Sequence, residues 1–240
     1  MWFLIFIRRG IAVKLSSQCL QVSKELWDAS FNHPFVKGIG TGELSLEKFK
    51  HYVLQDSYYL SNFAKIQSYG GAVAQDLHTT NRLAIHAQGT YEAEMGLHRK
   101  FSELLGITEE EKKNFKPAPT AYAYTSHLYR AAFSGKLGHI IAALLPCYWL
   151  YLEVGERLKD CKPEEPIYQE WIATYNGEWF RKLVLEQIER LDEIADKVTQ
   201  ADRDEMVEIF KISSYYEWQF WEMSYTLEDW SVKEYEVTNA

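Results

Sequence analysis

Residues 45–69 read SLEKFKHYVLQDSYYLSNFAKIQSY, and apolar side chains recur in them every three or four positions. At 3.6 residues per turn, this spacing puts Tyr52, Asp56, Tyr59 and Phe63 within roughly a 100° arc of one helix. Strict alternation of apolar and polar residues does not persist beyond a few positions, here or elsewhere, which argues against strands. The stretch therefore predicts a helix, and the same periodicity along the chain predicts an all-α fold.

The helical pattern extends over the rest of the sequence. It predicts helices near residues 16–31, 45–69, 79–105, 119–133, 137–159, 166–175, 178–197 and 201–226. Turn chemistry separates them at His33-Pro34, residues 38–42, Gly70-Gly71, residues 116–119, Gly135, residues 162–166 and Gly177. No linker rich in Ser, Pro or Gly divides the chain, so we expect a single-domain helical bundle.

The first twelve residues differ from the rest. Residues 1–7 are apolar, but two arginines end the run far short of the roughly 20 residues that a membrane span needs. A signal peptide carries its positive charges before the apolar part rather than after it. Arg8-Arg9-Gly10 can be encoded by a purine-rich string like a ribosome-binding site, and Val13 follows at a suitable distance for a GTG start. We expect residues 1–12 to be an N-terminal extension from a mis-assigned start and residues 13–240 to form the domain.

Composition excludes several classes of function. The chain has 26 Lys and Arg against 34 Asp and Glu, a formal charge of -8, whereas nucleic acid phosphates require a basic face. The three cysteines are too few and too scattered for a disulfide framework or a CxxC zinc site. We therefore predict reduced thiols, a cytoplasmic protein, and no nucleic acid or membrane partner.

Residues 144–151, LLPCYWLY, contain the candidate nucleophile, Cys147. Pro146 removes a backbone N–H inside an apolar helix and is expected to bend or open it. Cys147 follows directly, with Tyr151 one turn further along the same face. A thiol in this position is either a nucleophile, if its surroundings favour the thiolate, or a small buried hydrophobe, as most free cysteines are.

Two carboxyl groups lie in aromatic stripes. Asp56 shares its helix face with tyrosines, and Glu217, in the segment ISSYYEWQFW of residues 212–221, shares its face with Phe220 and Trp221. Burial raises the pKa of a carboxyl group and makes it a proton donor near neutral pH. The alternatives are an Asp56 at the edge of the surface or bonded to a neighbouring helix, and a Glu217 that points to solvent while the aromatic residues pack. One thiol, two acids and many tyrosines form a coherent set for substitution on a flat heterocycle.

Metal and phosphate sites are not indicated. A di-iron bundle needs Glu-x-x-His pairs, and no histidine of the seven has Glu or Asp three residues before it: His33, His51, His78, His86, His98, His127 and His139. Glu94 and His98 are four residues apart, as on a solvated helix face or in a core hydrogen bond. The sequence also has no GxGxxG, Walker or GxSxG motif.

Taken together, several motifs resemble the TenA/thiaminase II family. They are HPFV at residues 33–36 with GIG at 38–40, YVLQDSYYL at 52–60, HAQGTYEAE at 86–94, PTAYAYT at 119–125, LPCYW at 145–149 and YYE at 215–217. The resemblance runs from about Val13 to about Trp230. It implies a haem-oxygenase-like helical fold without haem, a homotetramer, and an enzyme of thiamine salvage that hydrolyses aminopyrimidines or thiamine without a metal or organic cofactor.

The resemblance also assigns roles to individual residues. It implies that Cys147 is the nucleophile, that Glu217 is the proton donor, and that Tyr59 raises the nucleophilicity of the thiol by hydrogen bonding. The residues implied to bind the substrate are Asp56, Tyr151, Tyr175, Tyr124 and Phe220. Cys19 and Cys161 are expected to be structural.

Two other classes of function remain to be weighed. A regulator or partner-binding bundle fits the name historically attached to the family, which refers to enhanced production of secreted enzymes. An acidic chain without a helix-turn-helix motif is, however, not expected to bind DNA. A metal oxidase built on the same scaffold would need the missing Glu-x-x-His pairs, and stoichiometric iron in the purified protein would favour it.

Overall fold

A computed structural model describes residues 13–93, 96 and 99–230. In these residues the regular secondary structure is helical, which confirms the predicted all-α fold. The helices are α1 (Leu15–Asn32), α2 (Pro34–Thr41), α3 (Leu46–Val73), α4 (Leu77–Ala93), α5 (Arg99–Leu104), α6 (Glu109–Asn114), α7 (Pro119–Phe133), α8 (Leu137–Leu158), α9 (Pro166–Tyr175), α10 (Glu178–Ala195) and α11 (Gln200–Thr226). The predictions for residues 1–12 and for Glu94 and His98 lie outside the described residues.

Two short helices occupy stretches that the sequence pattern assigned to turns or left unassigned. In α2, Pro34 stands in the first turn, the His33 side chain accepts a hydrogen bond from the Phe35 N–H, and Gly42 ends the helix at φ 81°. These are the usual start and stop signals of a helix. In α6, Thr108 and Glu111 form a capping box. The turn predicted for residues 38–42 was therefore wrong except at its last residue.

The glycine pair at 70–71 does not end α3. The helix continues to Val73 because the two glycines permit close helix packing instead of a turn. A Cβ on Gly70 would lie 3.2 Å from Ile140 Cγ2 and 3.3 Å from Leu83 Cδ1. The prediction of a turn at Gly70-Gly71 was wrong for this reason.

Helix α8 lies at the centre of the bundle and packs against α3, α7, α9, α10 and α11. It runs without interruption through Pro146, so the missing N–H does not open the helix as expected. Among the described helices, α8 is long and apolar enough to pass for a membrane span, but 78% of that apolar window is buried in the fold. This burial is typical of a core helix.

One hydrophobic core joins the helices, with buried members from Leu15 in α1 to Met223 in α11. Hydrogen bonds between distant segments fix the helix positions. The Ser16 N–H and hydroxyl donate to the Asp192 carboxylate at 2.9 and 2.8 Å, and the Tyr168 hydroxyl donates to the Leu44 carbonyl at 2.7 Å. The first pair joins α1 to α10, and the second bond joins α9 to the segment that leads into α3.

Candidate active site

Four residues predicted for the site line one cavity of about 80 Å³. Asp56 comes from α3, Cys147 and Tyr151 from the middle of α8, and Tyr175 from the end of α9. Asp56 and Tyr151 are buried, while Cys147 is half-buried where the cavity reaches the sulfur. Helix α3 and the consecutive helices α8 and α9 therefore bring a thiol, a carboxyl group and two phenols to the lining of one cavity.

The other four predicted site residues do not line this cavity. Glu217 and Tyr124 are joined by a hydrogen bond of 2.5 Å, in which the Tyr124 hydroxyl donates to Glu217 Oε1. The Tyr59 ring packs 4.8 Å from the Tyr124 ring and 5.8 Å from the Phe220 ring, centroid to centroid. These contacts place Tyr59, Tyr124 and Phe220 in one aromatic cluster next to Glu217, and their predicted contact with a ligand stays a prediction.

Glu217 is buried at 2% exposure, so the alternative that it points to solvent does not hold. Burial raises its pKa to about 8, and the charge of Asp56 adds to this effect while the hydrogen bond from Tyr124 opposes it. A carboxyl group with this pKa keeps its proton at neutral pH. Glu217 can therefore act as a proton donor.

Cys147 is a neutral thiol in this arrangement. Burial raises its pKa well above the ordinary value, the charge of Glu217 raises it further, and the Tyr59 hydroxyl acts in the opposite direction. The Tyr59 hydroxyl is buried and has no hydrogen bond of normal geometry within the described part of the chain. Because this hydroxyl already lowers the Cys147 pKa, it is placed to donate to the sulfur when negative charge develops there.

Two further aromatic residues, Tyr52 and Trp171, support the phenols that line the cavity. The Trp171 indole N–H donates to the Tyr52 hydroxyl at 3.3 Å, and the Tyr52 hydroxyl donates to Tyr151 at 3.4 Å. The Tyr151 and Tyr175 rings lie 4.8 Å apart. Burial raises the pKa of Tyr52, Tyr151 and Tyr175 well above the usual range, so all three stay neutral hydrogen-bonding groups.

Sequence reasoning missed a polar cluster on another wall of the cavity. Tyr148 accepts a hydrogen bond from the Gln67 side chain, and its hydroxyl lies 3.0 Å from His86 Nδ1. Burial lowers the pKa of His86 to about 4, with Arg82 and Arg190 adding to the effect against Glu186, so the imidazole is neutral. Gln67 and His86, polar residues on the apolar faces of α3 and α4, were the sequence signal that could have indicated this cluster.

One group of described residues has the spacing of a metal site. It consists of His139, Asp202 and Glu205 and lies outside the lining of the Cys147 cavity. The Lys136 ammonium group already donates to Asp202 at 2.8 Å and to Glu205 at 3.1 Å. These ion pairs give the acidic group a structural role at the start of α8 and α11.

The position of Tyr175 depends on Gly155 in α8. A Cβ on Gly155 would lie 2.6 Å from the Tyr175 carbonyl carbon and 2.9 Å from the Asn176 nitrogen. These are backbone atoms, so α9 must shift to admit a methyl group. We expect Gly155→Ala to lower the free energy of unfolding by about 1–3 kcal/mol, as overpacking does, and to raise KM by moving Tyr175.

Gly71→Ala in α3 is the matched control, because a Cβ there meets its nearest neighbour, the Thr80 carbonyl oxygen, at an ordinary 3.4 Å. This variant should be as stable as the parent or more stable, since alanine favours a helix over glycine. Chemical denaturation of both variants checks the pair. Equal stabilities would contradict the close approach of α8 and α9.

The fold and its relatives define the class of protein. The helical arrangement matches a domain of unknown function with a heme oxygenase-like fold from Shewanella denitrificans, with a TM-score of 0.70 at 18% identity over 90% of this chain and 94% of that one. The model of the TENA/THI-4/PQQC family matches residues 20–227. The chain belongs to this family.

Individual relatives are similar over nearly their whole length. The Bacillus subtilis aminopyrimidine aminohydrolase is 60% identical over 95% of this chain and 98% of its own. The enzyme of that name from Halalkalibacterium halodurans is 35% identical over 91% and 99%. A TenA homologue from P. horikoshii superimposes with a TM-score of 0.82 at 29% identity, over 89% of this chain and 99% of its own. The chain is an enzyme of the hydrolase class, as the sequence predicted.

Proposed function

We propose that this enzyme is an aminopyrimidine aminohydrolase of thiamine salvage. It converts 4-amino-5-aminomethyl-2-methylpyrimidine to 4-amino-5-hydroxymethyl-2-methylpyrimidine and ammonia, and it cleaves thiamine to the same pyrimidine alcohol and the thiazole alcohol. One observation carries the proposal: a cavity wall that combines the Cys147 thiol with Asp56, backed by a Glu217 carboxyl group whose pKa is about 8. The names of the relatives support the choice of substrate.

A flat heterocycle fits the binding groups of this wall. Tyr151 and Tyr175 offer aromatic surface beside the sulfur, and rings of this kind bind a pyrimidine by offset stacking. The amino group and ring nitrogen of an aminopyrimidine present a donor and an acceptor side by side. Asp56 binds the amino group because a carboxylate accepts such hydrogen bonds strongly.

The Cys147 thiol and the Glu217 carboxyl group divide the bond-making and proton-transfer steps, while Asp56 holds the substrate. The Cys147 sulfur bonds to a ring carbon as its proton passes to the substrate amine, and Glu217 protonates the ring nitrogen that receives the electron pair. The C–N bond then breaks, and ammonia leaves with the bonding pair. Water adds hydroxyl to the exocyclic carbon and returns a proton to Glu217. The C–S bond breaks last, as the ring N–H proton returns to sulfur.

The Tyr59 hydroxyl lowers the barrier of the first step. A buried thiol is slow to ionise because desolvation disfavours the thiolate. Donation from Tyr59 stabilises the charge on sulfur as the bond to the ring forms. Tyr124 holds the Glu217 carboxyl group in place, and Phe220 packs against Tyr59 and limits its motion.

The wider setting of the enzyme is part of the proposal. The side chains present suffice for thiol addition and proton transfer, so we propose that the enzyme works without a metal or an organic cofactor. The family resemblance further leads us to propose a cytoplasmic homotetramer. Light scattering coupled to size exclusion measures the assembly. A mass of one or two chains at micromolar concentration would overturn the tetramer and leave the proposed reaction untouched.

The decisive experiment compares two substrates. The purified protein is incubated with thiamine and with the aminomethyl pyrimidine, and ammonia and the pyrimidine alcohol are quantified. We expect turnover of both, with a higher kcat/KM for the aminomethyl pyrimidine. Failure to release ammonia or the pyrimidine alcohol from either compound would overturn the proposed function.

Asp56→Asn should weaken binding more than turnover. The amide keeps the shape of the side chain but removes the charge that holds the substrate amino group. A hydrogen bond to a charged group contributes about 1.5–3 kcal/mol, so KM should rise between about 10- and 100-fold with a smaller change in kcat. Asp204→Asn, at an exposed position of α11, is the control. A fall confined to kcat would mean that Asp56 acts on protons and Glu217 on binding.

A further inference from the structure

The cavity reaches the surface between α4 and α10. Gly89, Thr90 and Ala93 of α4 face Trp179 and Leu183 of α10 at this end of the lining. The Trp179 side chain is 58% exposed. In contrast, Asp56 and Tyr151 at the other end are each only 4% exposed. The cavity therefore has an inner polar end and an outer end closed by an indole.

The indole of Trp179 lies directly over a position that has no side chain. A Cβ on Gly89 would lie 3.3 Å from Trp179 Cζ2 and 3.5 Å from Cη2. The first distance is tighter than van der Waals packing normally allows, so the ring already lies as close to the α4 backbone as it can. The width of the outer end is therefore set by this one ring and one glycine.

The small volume of the cavity makes its outer end important. Sites for small molecules commonly measure about 300–1,000 Å³, several times the about 80 Å³ of this cavity, so a two-ring substrate such as thiamine must displace part of the wall. Tyr148 and Tyr151 are buried in α8, and moving them would break hydrogen bonds. An exposed indole swings away at a lower cost, because solvent already surrounds more than half of it.

The inner end fixes which part of a substrate meets Trp179. This step rests on the proposed function, in which Asp56 and Cys147 bind the pyrimidine ring. The group to be expelled is attached to the ring through one carbon and then extends outward. We propose that Trp179, seated against Gly89, sets the size of the leaving group that the enzyme accepts and favours a small amine over a bulky thiazolium ring.

Two substitutions should change selectivity in opposite directions. The measured quantity is kcat/KM for thiamine divided by kcat/KM for the aminomethyl pyrimidine, which share the pyrimidine and differ in the leaving group. Trp179→Ala should raise this ratio about tenfold, the discrimination that a pocket gains from a small difference in fit. Gly89→Ala adds a methyl group to α4 beneath the Trp179 ring, which narrows the outer end, and should lower this ratio. The variant should fold, since alanine is well tolerated inside a helix.

Trp230→Ala is the matched control, because Trp230 is also an exposed tryptophan, at 51%, and contacts the Pro117 carbonyl instead of the cavity. Trp179→Phe keeps an aromatic ring and should give an intermediate ratio, which guards against a poorly folded alanine variant. Size exclusion of each variant must match the parent. A ratio that is unchanged in Trp179→Ala and Trp179→Phe, or raised equally in Trp230→Ala, would overturn the inference.

A binding measurement separates this inference from the proposed function. Calorimetric titration of Cys147→Ser with thiamine, with and without Trp179→Ala, reports fit without any turnover. Tighter thiamine binding in the double variant, with binding of the aminomethyl pyrimidine unchanged, supports Trp179 as the size filter. Equal gains for both compounds would contradict it even if the parent enzyme hydrolyses both substrates. Absence of turnover in the parent would instead count against the reaction itself.

Discussion

Replacing Cys147 with serine is expected to lower kcat by on the order of 10³-fold or more, as loss of a covalent nucleophile does. A serine hydroxyl ionises far less readily than a thiol and is a poorer nucleophile toward a ring carbon. The cavity wall is otherwise retained, so the dissociation constant for the pyrimidine alcohol should stay close to the parent value. Steady-state kinetics and calorimetric titration check the two halves of this prediction.

Cys161→Ser provides the matched control. Cys161 is half-buried like Cys147, but it packs beside Gly40 and lies outside the cavity lining. Its substitution should leave kcat and KM close to the parent values. Near-normal turnover in Cys147→Ser would end the covalent mechanism, whereas equal losses in both variants would indicate a structural effect of serine.

Replacing Glu217 with glutamine should lower kcat by about 10²- to 10⁴-fold, the usual contribution of a general acid. Glutamine has the same shape, and its carbonyl oxygen still accepts the hydrogen bond from Tyr124, so KM should change little. Glu208→Gln, at an exposed position of the same helix, is the control and should be neutral. A large rise in KM at constant kcat would reverse the roles given to Glu217 and Asp56.

The pH dependence of the parent follows from the same residue. Because the proton donor must be protonated and its pKa is about 8, kcat/KM should fall as the pH rises through about 8. Glu217→Gln should lack this alkaline limb, since an amide does not titrate. A parent profile that stays flat between pH 7 and 9 would contradict the assignment.

Stability should vary with pH for the same reason. The Glu217 pKa is raised from 4.5 to about 8 on folding, so the folded state keeps a proton that the unfolded chain loses. This contribution to stability is complete below about pH 4.5 and is lost as the pH rises toward 8. The Tm of Glu217→Gln, measured against the parent, should therefore improve with increasing pH over this interval. The opposite trend would mean that Glu217 is ionised in the folded protein.

The fold class could be read from the sequence because helical periodicity is a local property. Apolar spacing in α3 and α8 and prolines at the first turns of α7 and α9 depend only on neighbours within a few residues. The prediction of turns failed where glycine, which can end a helix, lies inside one. Gly70 permits close packing of α3 against Ile140 and Leu83 instead of forming a turn, and α2 is a helix because His33 caps it.

The candidate site was found in the sequence only in part. Asp56 and Cys147 could be placed on helix faces, and the family resemblance supplied roles for the tyrosines. Neither could show that Tyr124 donates a hydrogen bond to Glu217, nor that Tyr148 is held by Gln67 and His86. Those contacts join residues many positions apart, and no local pattern encodes which helix faces will meet.

The sequence by itself determined that the chain is helical, which residues are chemically able to react, and which faces are apolar. The tertiary structure alone decided that Glu217 is buried, that its pKa is raised, and that the cavity ends at Trp179 over Gly89. The physical reason is the range of the interactions. Helix periodicity is set by neighbours along the chain, whereas desolvation and steric closure depend on atoms that only folding brings together.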